Sequence, residues 1–233
     1  MENSVPIAAN IARVQGRIAA ACRRSGRDVD DVKLVVVTKT IPADRIRLAY
    51  EAGLRDFGEN RVQEAAAKRP ALSDLTVTWH LIGHLQSNKA RPARELFHWV
   101  HSVDSFRLAA KLHQAAICTG DRLPVLLEVN LGGEATKAGL GENEVIPLVE
   151  QIAPLETLEL RGLMVIPPFF EDEEQARPFF RRLRQLAKQV EAMGVPNVAM
   201  QELSMGMSHD FEVAIEEGAT IVRVGTAIFG PRA

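Results

Sequence analysis

The chain is poor in cysteine, in long apolar runs and in net charge, and each scarcity excludes a class of protein. Its two cysteines, Cys22 and Cys118, have no metal-ligand spacing, so we expect reduced thiols in a cytoplasmic protein rather than a disulfide framework. No apolar run approaches the roughly 20 residues that span a bilayer, and the first residues lack the basic and apolar regions of a signal peptide. A formal net charge of -2 gives no electrostatic reason to expect binding to nucleic acid or to an anionic membrane.

The chain does have a regular alternation of short apolar runs and helical patterns. Several runs are apolar almost throughout, as expected for parallel strands covered on both faces. Eight strands are predicted, at residues 32–37, 54–58, 77–82, 99–103, 125–130, 159–165, 200–203 and 220–224. Alternation with helices over 233 residues predicts a (β/α)8 TIM barrel, with residues 1–233 as a single domain. A doubly wound open sheet is the alternative, but the turn after the first strand lacks the pattern G-x-G-x-x-G.

Local signals predict where helices begin. An amphipathic helix at roughly residues 5–24 is expected to close the outer ring, because little chain remains after the eighth strand. Asp104 is predicted to cap one helix and Ser208 another. Pro178 either kinks a helix over residues 173–193 or lies in its first turn.

Lys39 is the residue with the clearest chemical potential. It follows the apolar run of residues 34–37, one position past Thr38, and precedes a helical segment that opens at Pro42. A lysine at the mouth of a buried strand loses its proton more easily, and its amine can then attack a carbonyl to form a Schiff base. The simpler alternative is a solvated lysine that ends the strand.

The far end of the chain favours the chemical reading of Lys39. TIM barrels often bind phosphate in the loops after strands seven and eight, at a helix N-terminus. The loop of residues 204–208 has a glycine and two hydroxyls, while Gly225 permits close approach of the backbone and Thr226 adds a hydroxyl. These two segments predict a phosphate cradle. An N-cap serine and a turn glycine without a ligand are the alternative.

Arg223 is expected to face the barrel interior. It lies between Val222 and Val224 in an apolar strand, and a period of two sends it to the opposite face from both neighbours. A buried arginine needs a partner, which is either a structural salt bridge or a ring nitrogen or carboxylate of a ligand. His80 and His84 straddle a strand end without a third ligand nearby, so no metal site is predicted.

Six stretches of the chain resemble one known family. They read VVVTKT at residues 35–40, FGENRVQE at 57–64, WHLIGHLQSNK at 79–89, HSVD at 101–104 and RGLMVIP at 161–167, followed by the tail from 203 to 230. This order resembles the YggS/PROSC pyridoxal phosphate homeostasis proteins, also called PLP-binding proteins. The resemblance implies a fold-type III barrel, like the N-terminal domain of alanine racemase, which holds pyridoxal 5'-phosphate (PLP) as an internal aldimine.

The resemblance also assigns roles by matched position. It implies that Lys39 carries the Schiff base and that Arg223 faces the pyridine nitrogen. It implies that the phosphate is surrounded by Ser204, Gly206, Ser208, Gly225 and Thr226, and that the ring or its entrance is lined by Asn60, His80 and Met164. Lys137 falls where the family often has a lysine, whereas residues 131–133 depart from the usual serine or threonine.

Three functions remain open on the sequence. The first is a non-catalytic carrier of PLP that serves vitamin B6 and amino-acid homeostasis, a cytoplasmic monomer whose partners are PLP and PLP-dependent apoenzymes. The second is an amino-acid racemase, which would need a tyrosine from a second domain. The only tyrosine, Tyr50, is predicted in an outer helix, and the chain ends where that domain would begin. The third is a Schiff-base lyase for a phosphorylated sugar, with Glu59 as its acid or base.

Overall fold

Eight parallel strands form a closed barrel in which each strand pairs with its neighbours in the chain and the last pairs with the first. The structure is a computed structural model, and it describes residues 6–117, 120–134 and 138–231. The strands are β1 Lys33–Val37, β2 Asp56–Glu59, β3 Thr78–Leu81, β4 Trp99–Val103, β5 Leu123–Val129, β6 Leu158–Val165, β7 Val198–Met207 and β8 Ile221–Val224. The predicted TIM barrel is confirmed, and the open-sheet alternative is wrong.

Helices cover the outside of the barrel. Within the described residues they are α1 Ile7–Ser25, α2 Ala43–Glu51, α3 Val62–Lys68, α4 Ala90–Leu96, α5 Phe106–Ile117, α6 Glu142–Ile152, α7 Arg177–Ala192, α8 Phe211–Glu216 and α9 Thr226–Phe229. Short 3-10 turns lie at Val29–Asp31, Arg69–Leu72, Ser87–Lys89 and Glu173–Ala176. Across the described part of the chain, no helix is both long enough and apolar enough to cross a membrane.

Helix α1 closes the outer ring, as the sequence predicts. Its Val14, Ile18 and Ala21 are buried, and the helix packs beside α2, α8 and α9. The amide of Asn10 donates to the carbonyl of Ile228 at 2.8 Å, and Arg17 pairs with Glu212 of α8 at 2.8 Å. The first helix therefore fills the place that the four-residue α9 is too short to occupy.

The period of two decides which side chains enter the barrel. Val35, Leu126, Met164 and Ile221 pack together inside it with Ile82, whereas alternate residues such as Val36 and Val222 belong to the larger core between strands and helices. Val37 packs against the inner cluster. The face on which a side chain lies could thus be predicted from its strand position alone.

Two of the predicted helix signals differ in detail. Ser105, rather than Asp104, caps α5, because its hydroxyl accepts a hydrogen bond from the Leu108 amide at 3.3 Å. Pro178 lies in the first turn of α7, where its missing N–H costs nothing, so no kink is needed. Strand β7 runs further than predicted, to Met207, with register shifts opposite both of its neighbours.

Candidate functional site

A cavity of about 210 Å³ opens at the C-terminal ends of the strands. It is lined by Val37, Lys39, Asn60, Ile82, Ile166, Met207, Ser208, His209, Arg223, Gly225 and Thr226. A larger hollow of about 490 Å³ lies between the segments that follow β2 and β3, and one of about 650 Å³ lies between α4 and α5. We favour the smaller cavity as the functional site, because it combines an amine, a guanidinium and hydroxyls at the end of the barrel where such sites form.

Lys39 reaches this cavity because of strand alternation. It continues the inward face of Val35 and Val37, while the intervening Thr38 turns outward and is fully buried. Thr40 follows with a φ of 62°, a left-handed conformation that is uncommon outside glycine. The chain therefore makes a tight bend directly after the lysine.

Three side chains hold this bend from outside the barrel, and we call Glu59, Glu64 and Lys68 the Lys68 clamp. The Lys68 ammonium donates to the Thr38 carbonyl at 2.6 Å and to Glu59 at 2.7 Å. Glu64 accepts from the Thr40 amide at 3.1 Å. The backbone is thus fixed on both sides of Lys39.

Glu59 belongs to this clamp and not to the cavity. Its carboxylate is fully buried and accepts from the Thr38 hydroxyl at 2.6 Å. Burial raises its pKa, and the hydrogen bonds from Lys68 and Thr38 oppose that rise. The lyase alternative needed Glu59 as an acid or base beside Lys39. Because the Glu59 side chain is directed toward Lys68 and Thr38 and not into the cavity, the structure gives this alternative no support.

The two segments of the predicted phosphate cradle meet at the cavity wall. The Ser208 hydroxyl accepts from the amides of Gly225 and Ala227, both at 3.3 Å, at the start of α9. Ser208 therefore does not cap α8 as predicted, since that helix begins at Phe211. A Cβ atom on Gly225 would lie 3.1 Å from the Val37 carbonyl oxygen, a tighter contact than usual, so glycine suits this close approach.

Arg223 lies at the inner end of the cavity and is 3% exposed. One terminal nitrogen donates to the Ser204 carbonyl and hydroxyl, both at 2.7 Å, and the other donates to the Val165 carbonyl at 2.9 Å. Burial lowers its pKa to about 10, which leaves it charged at neutral pH. Among the described residues no carboxylate forms an ion pair with it, so the inward orientation is confirmed without the structural salt bridge.

Four of the ten predicted binding residues lie outside the lining of this cavity, and their roles stay predictions. His80 and Ser204 face the interior one layer deeper, where both are fully buried. Met164 is packed in the apolar inner cluster. Gly206 has a φ of 90°, and a Cβ atom there would lie 2.6 Å from that of Ala214, so its role is to let β7 pack against α8. Lys137 lies outside the described residues.

Comparison with known proteins identifies the family. The model of the alanine racemase N-terminal domain matches residues 8–233. A pyridoxal phosphate homeostasis protein of Aquifex aeolicus is 46% identical over 222 residues, which cover 95% of this chain and 96% of that protein. Its counterpart in Pseudomonas aeruginosa is 47% identical over 226 residues, which cover 97% and 96%. This chain belongs to the pyridoxal phosphate homeostasis protein family.

Solved structures agree with this assignment to the pyridoxal phosphate homeostasis proteins. PipY of Synechococcus elongatus, solved without PLP, is 42% identical with a TM-score of 0.86, over 96% of this chain and 100% of PipY. PipY with PLP bound is 43% identical with a TM-score of 0.82, over 93% and 100%. An alanine racemase of Clostridium difficile, 16% identical with a TM-score of 0.71, shares the fold over 94% of this chain and 56% of its own.

Sequence reasoning missed several cavity residues of this family member. Val37 and Ile82 could have been found from strand alternation with Val35 and His80, and Ile166 from its position two residues after Met164. His209 adjoins Ser208 in the predicted loop. No sequence pattern indicated the Lys68 clamp, because Lys68 lies on α3, 29 positions after Lys39, whose position it supports through the Thr38 carbonyl.

Proposed function

We propose that this chain binds PLP in the cavity at the C-terminal end of the barrel and acts as a carrier that buffers the cofactor in vitamin B6 homeostasis. One observation carries the proposal: a single cavity is lined by Lys39, by Arg223 and by a wall made of Ser208, Gly225 and Thr226, which we call the phosphate wall. The names of the relatives and the solution of PipY with PLP bound support it.

The residues present suit the parts of PLP. The aldehyde would be attached to the Lys39 amine, while the hydroxyls of Ser208 and Thr226 would hold the phosphate beside Gly225, whose own N–H is donated to Ser208. Asn60 would lie beside the ring. When bound, PLP supplies an electrophilic carbonyl and a ring that can withdraw electrons. Gly225 keeps the wall open where any side chain would press on Val37.

Arg223 argues against strong catalysis. A guanidinium can only donate hydrogen bonds, so a ring nitrogen facing it has to accept one and stays unprotonated. An unprotonated pyridine ring is a weaker electron sink, which disfavours amino-acid chemistry. We therefore propose a protein without substantial turnover.

The racemase alternative needs a tyrosine opposite Lys39, and no tyrosine is among the described residues that line the cavity. Tyr50 lies in α2, where its ring stacks under the Arg55 guanidinium at 3.9 Å. That position is on the outer helix layer and not at the cavity.

We further propose that the protein works as a monomer in the cytoplasm and that PLP-dependent apoenzymes receive its cofactor. A buried free thiol at Cys22 suits a reducing compartment.

The experiment compares binding, turnover and transfer. PLP is titrated into purified protein and followed by visible absorbance, with Lys39→Ala as the test variant and exposed Lys111→Ala as its control. We expect wild type and Lys111→Ala to show the absorbance of bound PLP and Lys39→Ala to lose it while keeping its circular dichroism. Loaded protein is then assayed for conversion of amino acids and for transfer of PLP to an apoenzyme. Turnover on the order of 1 per second, typical of enzymes, would overturn the carrier proposal.

A further inference from the structure

Below the cavity, a line of buried hydrogen bonds crosses the barrel interior. The Ser204 hydroxyl lies 2.9 Å from Nδ1 of His101, and Nε2 of His101 lies 3.0 Å from Nδ1 of His80. Nε2 of His80 lies 2.9 Å from a carboxylate oxygen of Asp56, at the start of β2. Ser204, His101 and His80 are all fully buried, so the contacts between them are shielded from water, whereas the Asp56 side chain is 24% exposed. At its upper end the line begins at Arg223, which donates to the Ser204 hydroxyl at 2.7 Å.

The carboxylate at the far end fixes the direction of the bonds in this line. An ionised carboxylate can only accept, so Nε2 of His80 donates to Asp56. Because each neutral ring carries one proton, Nδ1 of His80 then accepts from Nε2 of His101. Nδ1 of His101 in turn accepts from the Ser204 hydroxyl, whose oxygen accepts from Arg223.

Burial keeps the two middle members neutral. It lowers the pKa of His101 well below the ordinary range, and the neighbouring His80 and Arg223 lower it further. The pKa of His80 is also lowered by burial, against an opposing effect of Asp56. The line therefore has a cation at the cavity, a carboxylate at the far end and neutral imidazoles between them. Lys33 and Glu202 are the other charged groups that act on His80.

We propose that Ser204, His101, His80 and Asp56 are positioning residues that hold Arg223 as a hydrogen-bond donor to the ligand. Three of its five N–H bonds are used by Ser204 and Val165, and no described residue accepts the other two. Since Arg223 lines the cavity, those two remain for a bound molecule. The proposal rests on the proposed function only in naming the ring nitrogen of PLP as the acceptor.

The bond directions are tested without any ligand. Nitrogen-15 NMR of the imidazole groups in ligand-free protein at neutral pH distinguishes protonated from unprotonated ring nitrogens. We expect both His80 and His101 to be neutral and protonated on Nε2 alone. A proton on Nδ1 of His101, or a doubly protonated ring at either position, would overturn the proposal. This measurement uses the wild-type protein, so it does not depend on any variant folding.

The effect on the ligand is tested with Ser204→Ala. Because Ser204 would act on the ring through Arg223, its loss should weaken PLP and pyridoxal by the same factor, roughly tenfold for one hydrogen bond to a charged donor. Ser208→Ala, at the cavity wall, should instead weaken PLP more than pyridoxal. Lys111→Ala, at an exposed position outside the cavity, should leave both affinities at the wild-type value.

The outcomes separate this proposal from the proposed function. If Ser204→Ala changes the ratio of the two affinities, or changes neither affinity, the positioning role is overturned. If wild-type protein binds neither PLP nor pyridoxal, the proposed function fails, and the NMR result alone then decides the bond directions.

Discussion

The upper and lower halves of the barrel interior both contain polar groups beside the apolar inner cluster, but they use those groups in opposite ways. In the lower half, His80 and His101 satisfy each other and their neighbours, and both are fully buried. In the upper half, Lys39, Ser208 and Arg223 surround a cavity. Polar groups in a barrel interior therefore do not by themselves indicate a ligand site. The site is indicated by the hydrogen-bond donors that line the cavity, and the hydrogen-bonded network below the cavity holds these donors in place.

The two halves also differ in where their support comes from. The lower network is held inside the barrel by its own members. The bend that carries Lys39 at the rim is held from outside, by the Lys68 clamp. Predictions that separate the two halves follow from the largest expected effect to the smallest.

Loss of the clamp lysine should have the largest effect. Lys68→Met leaves the Glu59 carboxylate buried without its cation and leaves the Thr38 carbonyl with the Ile41 amide as its remaining donor, so we expect a loss of about 3 kcal/mol of unfolding free energy. Urea unfolding of ligand-free protein measures it, with the exposed Lys188→Met as control.

A double variant tests the cause of that loss. Adding Glu59→Leu to Lys68→Met removes the buried charge and should recover much of the stability. The clamp would be dispensable if Lys68→Met unfolded within about 0.5 kcal/mol of the control, the range of ordinary surface substitutions.

The phosphate wall should provide the next largest effect. Hydrogen bonds to a charged group contribute roughly 1.5–3 kcal/mol each, so pyridoxal should bind far more weakly than PLP. Thr226→Val keeps the shape of the side chain and should reduce the ratio between the affinities for PLP and pyridoxal by about tenfold or more. If the wild-type protein bound PLP and pyridoxal with equal affinity, the phosphate wall would not contribute to binding and this prediction would be wrong.

The lower network should give the smallest effect, visible as a dependence of stability on pH. The pKa of His101 is lowered in the folded state by burial, so below its ordinary value only the unfolded chain takes up a proton. Stability should therefore fall as pH drops below about 6.5, by about 1.4 kcal/mol per pH unit for each such histidine. Lys33, Asp56, Glu202 and Arg223 are the charged groups around the pair.

His101→Gln isolates this contribution. Urea unfolding of ligand-free protein at pH 7 and pH 5.5 should show a shallower loss for the variant than for wild type. Glu59 and Glu128, whose pKa values are raised by burial, change stability in the opposite sense but equally in both proteins. Identical slopes in the two proteins would contradict the assignment of a buried neutral imidazole at position 101.

Strand alternation made the face of each side chain predictable, but not its height. It correctly placed Arg223 inside the barrel, while Lys39 was predicted from its position at the end of the first strand. It could not show that His80 and Ser204 lie one layer below the cavity, because height depends on strand tilt and on the stagger between neighbouring strands. The register shifts around β7 add to this stagger.

Contacts between distant parts of the chain were also beyond the sequence. Ser208 matched a helix-cap pattern, yet its hydroxyl accepts from Gly225 and Ala227, which only the closed barrel brings near. The Lys68 clamp joins β1, β2 and α3 in the same way. The order of elements was predictable because it depends on local pattern, whereas these contacts depend on how the pattern closes.

The most direct test of the account is to find which residue holds the cofactor. Wild-type protein is loaded with PLP, reduced with borohydride, digested and mapped by mass spectrometry. The account predicts one reduced adduct, on the peptide that contains Lys39, and none on that peptide in Lys39→Ala. A principal adduct on any other lysine, or reduced protein that carries no adduct, would contradict it.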